Sequence, residues 1–157
     1  MLSFFKVHGL GNDFILFDLL HQKWPPAWQD LPGVARRLCH RHFGIGGDGL
    51  VLILPSSAAD ARMQIFNPDG SEAEMCGNAI RCVARYLYER AGMKKEVLSI
   101  ETGAGIMVPQ LLVRGGRVEA VRVDMGPPRL ERKEIPMIGP PGAAVGEPLV
   151  LEGQTFY

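Results

Sequence analysis

Residues 66–82 read FNPDGSEAEMCGNAIRC and pass from a strand pattern, through a turn, into a helix pattern. The strand pattern ends at Asn67, and the proline, aspartate and glycine that follow are typical of a turn. After Cys76, apolar residues recur with the spacing of one helical face over about fifteen residues. Gly92 can end that helix. The sequence therefore predicts that Cys76 lies at the start of the longest helix in the chain.

Short strand patterns joined by tight turns flank this helix on both sides. Gly115 and Gly116 are a two-residue hairpin signal, and Pro109 restricts its strand to an edge or a bulge. A second, shorter helix is predicted at residues 31–38, capped by Asp30. These patterns predict an α+β fold, with a mainly antiparallel sheet packed on one main helix. The strand patterns occupy residues 4–8, 14–17, 50–54, 61–65, 97–101, 105–113 and 117–125.

The composition of the chain changes near Pro127. Residues 127–148 contain half of the chain's twelve prolines. We therefore expect a first domain at residues 1–126, followed by a linker and the start of an incomplete second domain at residues 127–157. The final residues, 149–157, have the pattern of a hairpin whose second strand is cut short.

The composition argues against several classes of partner. Seventeen basic residues balance seventeen acidic residues, so no excess of one charge favours nucleic acid or an anionic membrane surface. No apolar run approaches the roughly 20 residues of a transmembrane helix. Three cysteines without CxxC spacing predict neither a disulfide framework nor a metal site, and indicate a cytoplasmic protein with free thiols. The glycine-rich residues 44–49 precede a strand rather than a helix, so they do not predict a nucleotide-binding loop.

The position of Cys76 points to chemistry without specifying it. A thiol at a helix start faces unpaired backbone N–H groups and the positive end of the helix dipole, a setting that favours thiolate. A thiolate can serve as an acyl-transfer nucleophile, a redox thiol, a metal ligand or a proton-transfer base, and an inert buried cysteine is the alternative. Cys82 lies about 240° around the helix, so it is badly placed to act as a resolving thiol. Proton transfer needs the fewest additional groups, because the backbone N–H groups of Gly77 and Asn78 can hold a carboxylate.

Three stretches together carry a resemblance to a known family. They are residues 8–14, HGLGNDF; residues 41–49, RHFGIGGDG; and residues 67–82, which surround Cys76. In this order they resemble the motifs of the diaminopimelate epimerase family. The resemblance covers about the first 125 residues, and the remaining tail is similar to the opening of that family's second domain.

The resemblance implies a fold and an activity. The family interconverts LL- and meso-diaminopimelate for lysine and peptidoglycan synthesis, with neither pyridoxal phosphate nor a metal as cofactor. Each of two similar domains wraps a sheet around a central helix, and the substrate lies in the cleft between them. Two cysteines face opposite sides of the substrate's α-carbon, one removing a proton as thiolate and the other donating one. This chain would supply one of them, and we expect it to be inactive alone.

The resemblance also implies roles for single residues. Cys76 matches the catalytic cysteine of the first domain. Asn12 and Asn67 match substrate-binding asparagines, whose amide groups offer both donors and acceptors to an amino-acid zwitterion. Gly77 and Asn78 match the backbone pair that holds the α-carboxylate.

Some positions depart from the family pattern or lie outside it. His40 replaces a residue that is often acidic, and Gly49 replaces a glutamine that contacts substrate in some members. Cys39 and Cys82 match non-catalytic positions and are interpreted as core thiols. We interpret the charged side chains of the main helix as its solvated face; they are Arg81, Arg85, Glu89 and Arg90.

Two other functions stay open. One is a non-catalytic half-protein or binding module that keeps the substrate-end site. The other is a racemase of the related proline or hydroxyproline group, against which residues 77–82, GNAIRC, argue. The second catalytic cysteine and the clamp on the distal end of the substrate would lie in a missing second domain. The apolar surface exposed by that loss predicts association, including a homodimer.

Overall fold

The computed structural model describes residues 2–135 and 137–156. They form two compact units, the first ending at Asp124 and the second beginning at Met125. In the first unit, two helices are described, α1 at Leu31–Cys39 and α2 at Gly77–Glu89. The strands of this unit are β1 Phe5–Gly9, β2 Asn12–Asp18, β3 Gly49–Leu54, β4 Ala61–Phe66, β5 Glu72–Ala73, β6 Ile100–Thr102, β7 Gly105–Met107, β8 Gln110–Arg114 and β9 Arg117–Arg122.

One sheet forms most of the first unit, in the order β1-β2-β3-β4-β6-β7, with β5 paired to β4. Strands β8 and β9 form a separate antiparallel hairpin. The β2–β3 and β4–β6 pairs are parallel, and the other described pairs are antiparallel, so the mainly antiparallel α+β prediction is confirmed. In this topology the starts of β2 and β3 and the end of β4 lie at the same edge of the sheet.

The two helices cover opposite faces of the sheet. Successive strand residues point to opposite faces, so one set of side chains from β2 and β3 packs around α2 and the alternate set packs with α1. Both faces are therefore buried, which explains the unbroken apolar sequence of β3. The set around α2 is Phe14, Leu16, Val51 and Ile53; the set packed with α1 is Ile15, Phe17, Leu50 and Leu52.

Local sequence signals set the ends of both helices. Asp30 caps α1 through a bond of 3.0 Å from the Gly33 amide to Oδ1, as predicted. Helix α2 has 13 residues and is therefore shorter than predicted. Its end is followed by Gly92, whose φ of 80° suits glycine.

The predicted strand over residues 105–113 is wrong. Strand β7 ends at Met107 and β8 begins at Gln110, and the two lie in different sheets. Pro109 separates them, because it has no N–H to donate to a ladder. Its carbonyl oxygen instead accepts a hydrogen bond of 3.1 Å from the Leu98 amide.

The second unit contains a short 3-10 helix at Arg132–Glu134 and a hairpin of β10, Leu149–Leu151, and β11, Gln154–Phe156. Arg132 is buried, donates to the Pro140 carbonyl over 2.9 Å and pairs with Glu147. The hairpin side chains are exposed. The assignment of residues 127–157 to a linker and an incomplete second domain stays a prediction. In the described part of the chain, neither α-helix is long and apolar enough to cross a membrane.

A buried carboxylate joins the end of β2 to α2. Asp18, which is 5% exposed, accepts hydrogen bonds from the Leu20 amide at 2.8 Å and from Tyr86 Oη at 2.9 Å. His21 Nδ1 lies 2.8 Å from the same carboxylate. Burial, followed by the bond to Asp18, raises the pKa of Tyr86, so the phenol keeps the proton that it donates.

Removing this phenol should destabilise the fold. We expect Tyr86→Phe to lower the free energy of unfolding by about 1.5–3 kcal/mol, because it leaves the buried Asp18 carboxylate short of a donor. Tyr88→Phe is the matched control, since it keeps the ring beside Lys94 Nζ and the Tyr88 hydroxyl bonds to no other described residue. We expect the control to change the unfolding free energy by less than about 0.5 kcal/mol in urea denaturation. Equal losses in the two variants would contradict this account.

Candidate active site

The β1–β2 hairpin reaches the first turn of α2 through a glycine. Asn12 lies opposite Gly9 in the hairpin register. A Cβ placed on Gly9 would lie 3.2 Å from both the Cβ and the carbonyl oxygen of Asn78. Because Gly9 lacks a side chain, the hairpin packs directly on α2. Asn12 is therefore the strand partner of the residue that packs on the first turn of α2.

Cys76 occupies the position immediately before α2. Its backbone is extended, with φ of −143° and ψ of 117°, and its carbonyl oxygen accepts the Ile80 amide at 2.9 Å. Its side chain is half-buried and makes no capping bond in the described helix start. The first turn of α2 contains no acidic residue. Cys76 therefore precedes a helix start whose positive dipole end is offset by no carboxylate of the first turn, and its side chain packs against the core around α2.

Gly77 and Asn78 are the first two residues of α2, and both are half-buried. Backbone N–H groups at these positions have no acceptor within a helix. They are therefore suited to bind an anion beside Cys76.

Asn67 closes the turn that leads towards Cys76. Its amide donates to the Ser71 carbonyl at 2.8 Å, and its Nδ2 donates to Ser71 Oγ at 2.9 Å. Asp69 accepts both the Ser71 hydroxyl and the Ser71 amide, which lowers the pKa of Asp69. Asn67 therefore braces this turn, and within the described residues its Oδ1 and the second N–H of Nδ2 are left for a ligand.

The segment between this turn and α2 is held from two sides. Strand β5 pairs back onto the end of β4, with Ala73 opposite Ile65. The Ala104 amide then donates to the Glu74 carbonyl at 3.2 Å, and a Cβ on Gly103 would lie 2.9 Å from the Glu74 Cα. These contacts fix the segment from Glu72 to Glu74, which joins the turn after β4 to Cys76.

Gly49 begins β3 at this edge and lies against its neighbours. A Cβ on Gly49 would lie 3.2 Å from both the Phe14 ring and the Phe66 carbonyl oxygen. The strands therefore leave little room for a glutamine at this position.

An ion-pair network that the sequence did not indicate joins the hairpin to the start of β3. Arg41 Nη2 donates to Asp13 at 2.8 Å and to Asp48 at 2.7 Å, and Lys6 Nζ lies 2.6 Å from Asp13. The Asp13 amide donates to Asp48 at 3.0 Å, and the Asp48 amide donates to the Asp13 carbonyl at 2.7 Å. The hydrogen bonds from Arg41 and Lys6 hold the pKa of Asp13 well below its usual range. The network fixes Asp13, the residue that follows Asn12 in β2.

Arg81 and Glu89 are less exposed than the solvated face predicted for α2, whereas Arg85 and Arg90 agree with it. Arg81 is half-buried, and its guanidinium donates to Asn78 Oδ1. Arg85, by contrast, is exposed and pairs with Glu89 at 3.0 Å. The spacing of three residues between Asn78 and Arg81 is the signal that could have indicated this contact.

The other two cysteines differ from Cys76 in their surroundings. Cys39 is 2% exposed, and burial raises the pKa of its thiol to about 11. Burial also raises the pKa of the half-buried Cys82. Cys82 lines a cavity of about 590 Å³ with His8, Gly9 and Arg81, and Cys76 is not among the lining residues. The cavity therefore does not include Cys76, although its lining residues Gly9 and Arg81 both contact Asn78. No group of three or more histidine, cysteine or acidic residues in the described ranges could hold a metal ion.

Comparisons with known proteins place this fold and sequence among amino-acid epimerases. A family model described as diaminopimelate epimerase matches residues 4–131. A diaminopimelate epimerase of Pelotomaculum thermopropionicum is 63% identical over 155 residues, which cover 99% of this chain and 55% of that protein. One of Moorella thermoacetica is 57% identical over 155 residues, which cover 99% and 54%. The chain thus spans about half the length of the curated relatives it matches.

Solved structures of similar fold include two enzymes that act on cyclic amino acids by name. A probable proline racemase from Agrobacterium radiobacter K84 is 26% identical with a TM-score of 0.63, covering 83% of this chain and 44% of that one. A hydroxyproline epimerase from Agrobacterium vitis is 23% identical with a TM-score of 0.60, covering 76% and 40%. These likenesses support the fold.

The Asp13 network predicts a pH dependence of stability. Because the pKa of Asp13 is lowered by folding, the carboxylate stabilises the fold above about pH 4 and loses that effect as the pH falls through the lowered pKa. We expect Asp13→Asn to be less stable than the parent chain at pH 7, with a smaller loss of stability on acidification from about pH 5 to 3. Glu96→Gln, which changes an exposed carboxylate, is the control and should keep the parent profile. Identical pH profiles for Asp13→Asn and the parent chain, in urea denaturation at each pH, would sink the prediction.

Proposed function

Because the chain belongs to the diaminopimelate epimerase family, we propose that it is the first-domain part of a cofactor-independent epimerase that interconverts LL- and meso-diaminopimelate. The observation that carries the proposal is the position of Cys76. It stands at the start of α2, where its thiol makes no capping bond, and the first turn of that helix packs against Gly9, the strand partner of Asn12. No other cysteine of the chain combines partial exposure with a helix start.

In the proposed mechanism, Cys76 acts as a thiolate on one face of the substrate's α-carbon. The bond from the α-carbon to hydrogen breaks, and the proton passes to the Cys76 sulfur. A second thiol, supplied by the remainder of the complete protein, then gives its proton to the opposite face of the carbon. The configuration at the α-carbon is inverted, and a matched acid and base lower the barrier to each proton transfer.

The same residues account for binding of the reacting end of the substrate. The N–H groups of Gly77 and Asn78 hold the α-carboxylate, supported by the helix dipole. This matters for catalysis because negative charge moves onto that carboxylate as the proton leaves, and fixed donors stabilise it there. Asn12 and the amide oxygen of Asn67 complete the site with groups suited to the ammonium and carboxylate of an amino acid.

Two other functions are tested by the same experiments. Fold similarity to the proline racemase and the hydroxyproline epimerase favours a cyclic amino acid as the alternative substrate. A non-catalytic half-protein would bind the substrate end without supporting exchange. A homodimer and a cytoplasmic location stay predictions.

Alkylation should distinguish Cys76 from the other thiols. We expect iodoacetamide at pH 7 to modify Cys76 first and diaminopimelate to slow this reaction at least about tenfold, because ligand and reagent compete for one thiol at a helix start. Cys39 and Cys82, whose pKa values are raised by burial, are internal controls that the ligand should not affect. Peptide mass spectrometry measures each rate. Modification of Cys76 that is no faster than that of Cys82, and no slower with ligand, contradicts the site.

Exchange of the α-proton tests catalysis. We expect the chain alone to exchange the α-hydrogen of diaminopimelate with deuterated water negligibly, because only one of two bases is present. Fused to the remaining half of the Pelotomaculum thermopropionicum relative, it should support exchange, and Cys76→Ala should reduce the rate by about 10²–10⁴-fold. Proline and hydroxyproline are the control substrates. Faster exchange with proline would favour the racemase alternative, and a fusion that retains full rate without Cys76 would exclude the proposed base.

A further inference from the structure

We infer that Arg81 is a positioning residue of the proposed site, which raises the affinity of the Gly77–Asn78 amides for a carboxylate by holding Asn78 and by placing a positive charge beside it. This inference rests on the proposed function and deepens it. The sequence pattern had predicted that the Arg81 side chain lies on the solvated face of α2.

The first observation is the contact between Arg81 and Asn78. Arg81 follows Asn78 by three residues, so the two side chains lie on the same face of α2. Long side chains on a helix point back towards its N-terminus, and the Arg81 guanidinium accordingly reaches Asn78 Oδ1. Arg81 as a whole residue is half-buried, and it also lines the cavity of about 590 Å³ beside Gly9.

The second observation is that Asn78 is held from the other side as well. The Gly9 backbone packs against the Cβ and carbonyl oxygen of Asn78, each 3.2 Å from a Cβ built on Gly9. Asn78 is thus fixed between the hairpin that carries Asn12 and the guanidinium of Arg81. Its backbone N–H, which the proposed function assigns to carboxylate binding, has little freedom to turn away.

The third observation concerns charge. An arginine side chain carries a positive charge, and the first turn of α2 has no acidic residue to offset that of Arg81. Glu119 lines the same cavity as Arg81 but pairs with Arg114 at 3.5 Å. Arg85, one turn further along α2, is paired with Glu89. Of these two helix arginines, Arg81 is therefore the one whose charge is directed to the start of the helix.

The test compares charge-removing and charge-keeping variants of the 157-residue chain. We expect Arg81→Gln to weaken the binding of diaminopimelate about 10-fold or more, measured from the Gly77 and Asn78 amide signals in an NMR titration. Arg81→Lys should stay within about threefold of the parent chain, because it keeps the charge. Arg85→Gln, the matched control on the same helix, should stay within about twofold. Thermal unfolding of each variant checks that the fold is retained, and Arg81→Lys keeps the test decisive if Arg81→Gln does not fold.

The outcomes separate this inference from the proposed function. A parent chain that binds diaminopimelate, with an unchanged affinity in Arg81→Gln, overturns the inference alone. Equal losses in Arg81→Gln and Arg81→Lys also overturn it, because charge then contributes nothing. If the parent chain does not bind diaminopimelate, the same variants are compared in the fusion with the remaining half of the Pelotomaculum thermopropionicum relative. A fusion that does not bind either overturns the proposed function and this inference with it. Selective loss in Arg81→Gln, restored by lysine, supports the inference.

Discussion

The close approach of Gly9 to Asn78 is the constraint on which the candidate site depends. The helix start and the hairpin are separate in sequence, and a side chain at position 9 would meet the Asn78 Cβ and carbonyl oxygen at 3.2 Å. With glycine there, the backbone of one element packs directly on the backbone of the other. This contact also relates Asn12 to Arg81. Asn12 lies opposite Gly9 in the hairpin, and Arg81 is bonded to Asn78. The site is thus assembled by backbone packing first and by side-chain bonds second.

Rigid elements support the loops that carry the site. Strand β2 leaves the ion-pair network at Asp13 and continues into side chains that are buried on both faces of the sheet. At its other end, Asp18 is bonded to Tyr86 on α2. Strand β2 is therefore held at its start by the ion pairs of Asp13 and at its end by the bond from Tyr86 on α2 to Asp18. Groups that must bind a substrate in one geometry benefit from such support, because loose positioning weakens each contact.

The sequence predicted some parts of this molecule well, for physical reasons. Helix α2 has a clear apolar period and a glycine after its end, so its existence and the position of Cys76 followed from local pattern. The strand over residues 105–113 failed because Pro109 was expected to put one strand at an edge or a bulge, whereas the chain leaves one sheet before it and enters another after it. The Arg41 network joins residues 28 positions apart, as in the pair with Asp13, and such contacts have no local signature. Arg81 was misjudged because an arginine on a helix is as compatible with solvent as with a neighbouring amide.

The thiol at the position before α2 has a consequence for the balance between stability and reactivity. That position is one at which serine, threonine, aspartate or asparagine commonly stabilises a helix by about 1 kcal/mol through a side-chain bond. Cys76 makes no such bond in the described helix start, so α2 lacks this stabilisation at the residue that we propose as the base. Serine at this position would offer the hydroxyl that such a bond uses, but not the sulfur that the proposed proton transfer requires. Natural sequences accept such local losses where function requires a particular atom, and sulfur at this position fits that pattern.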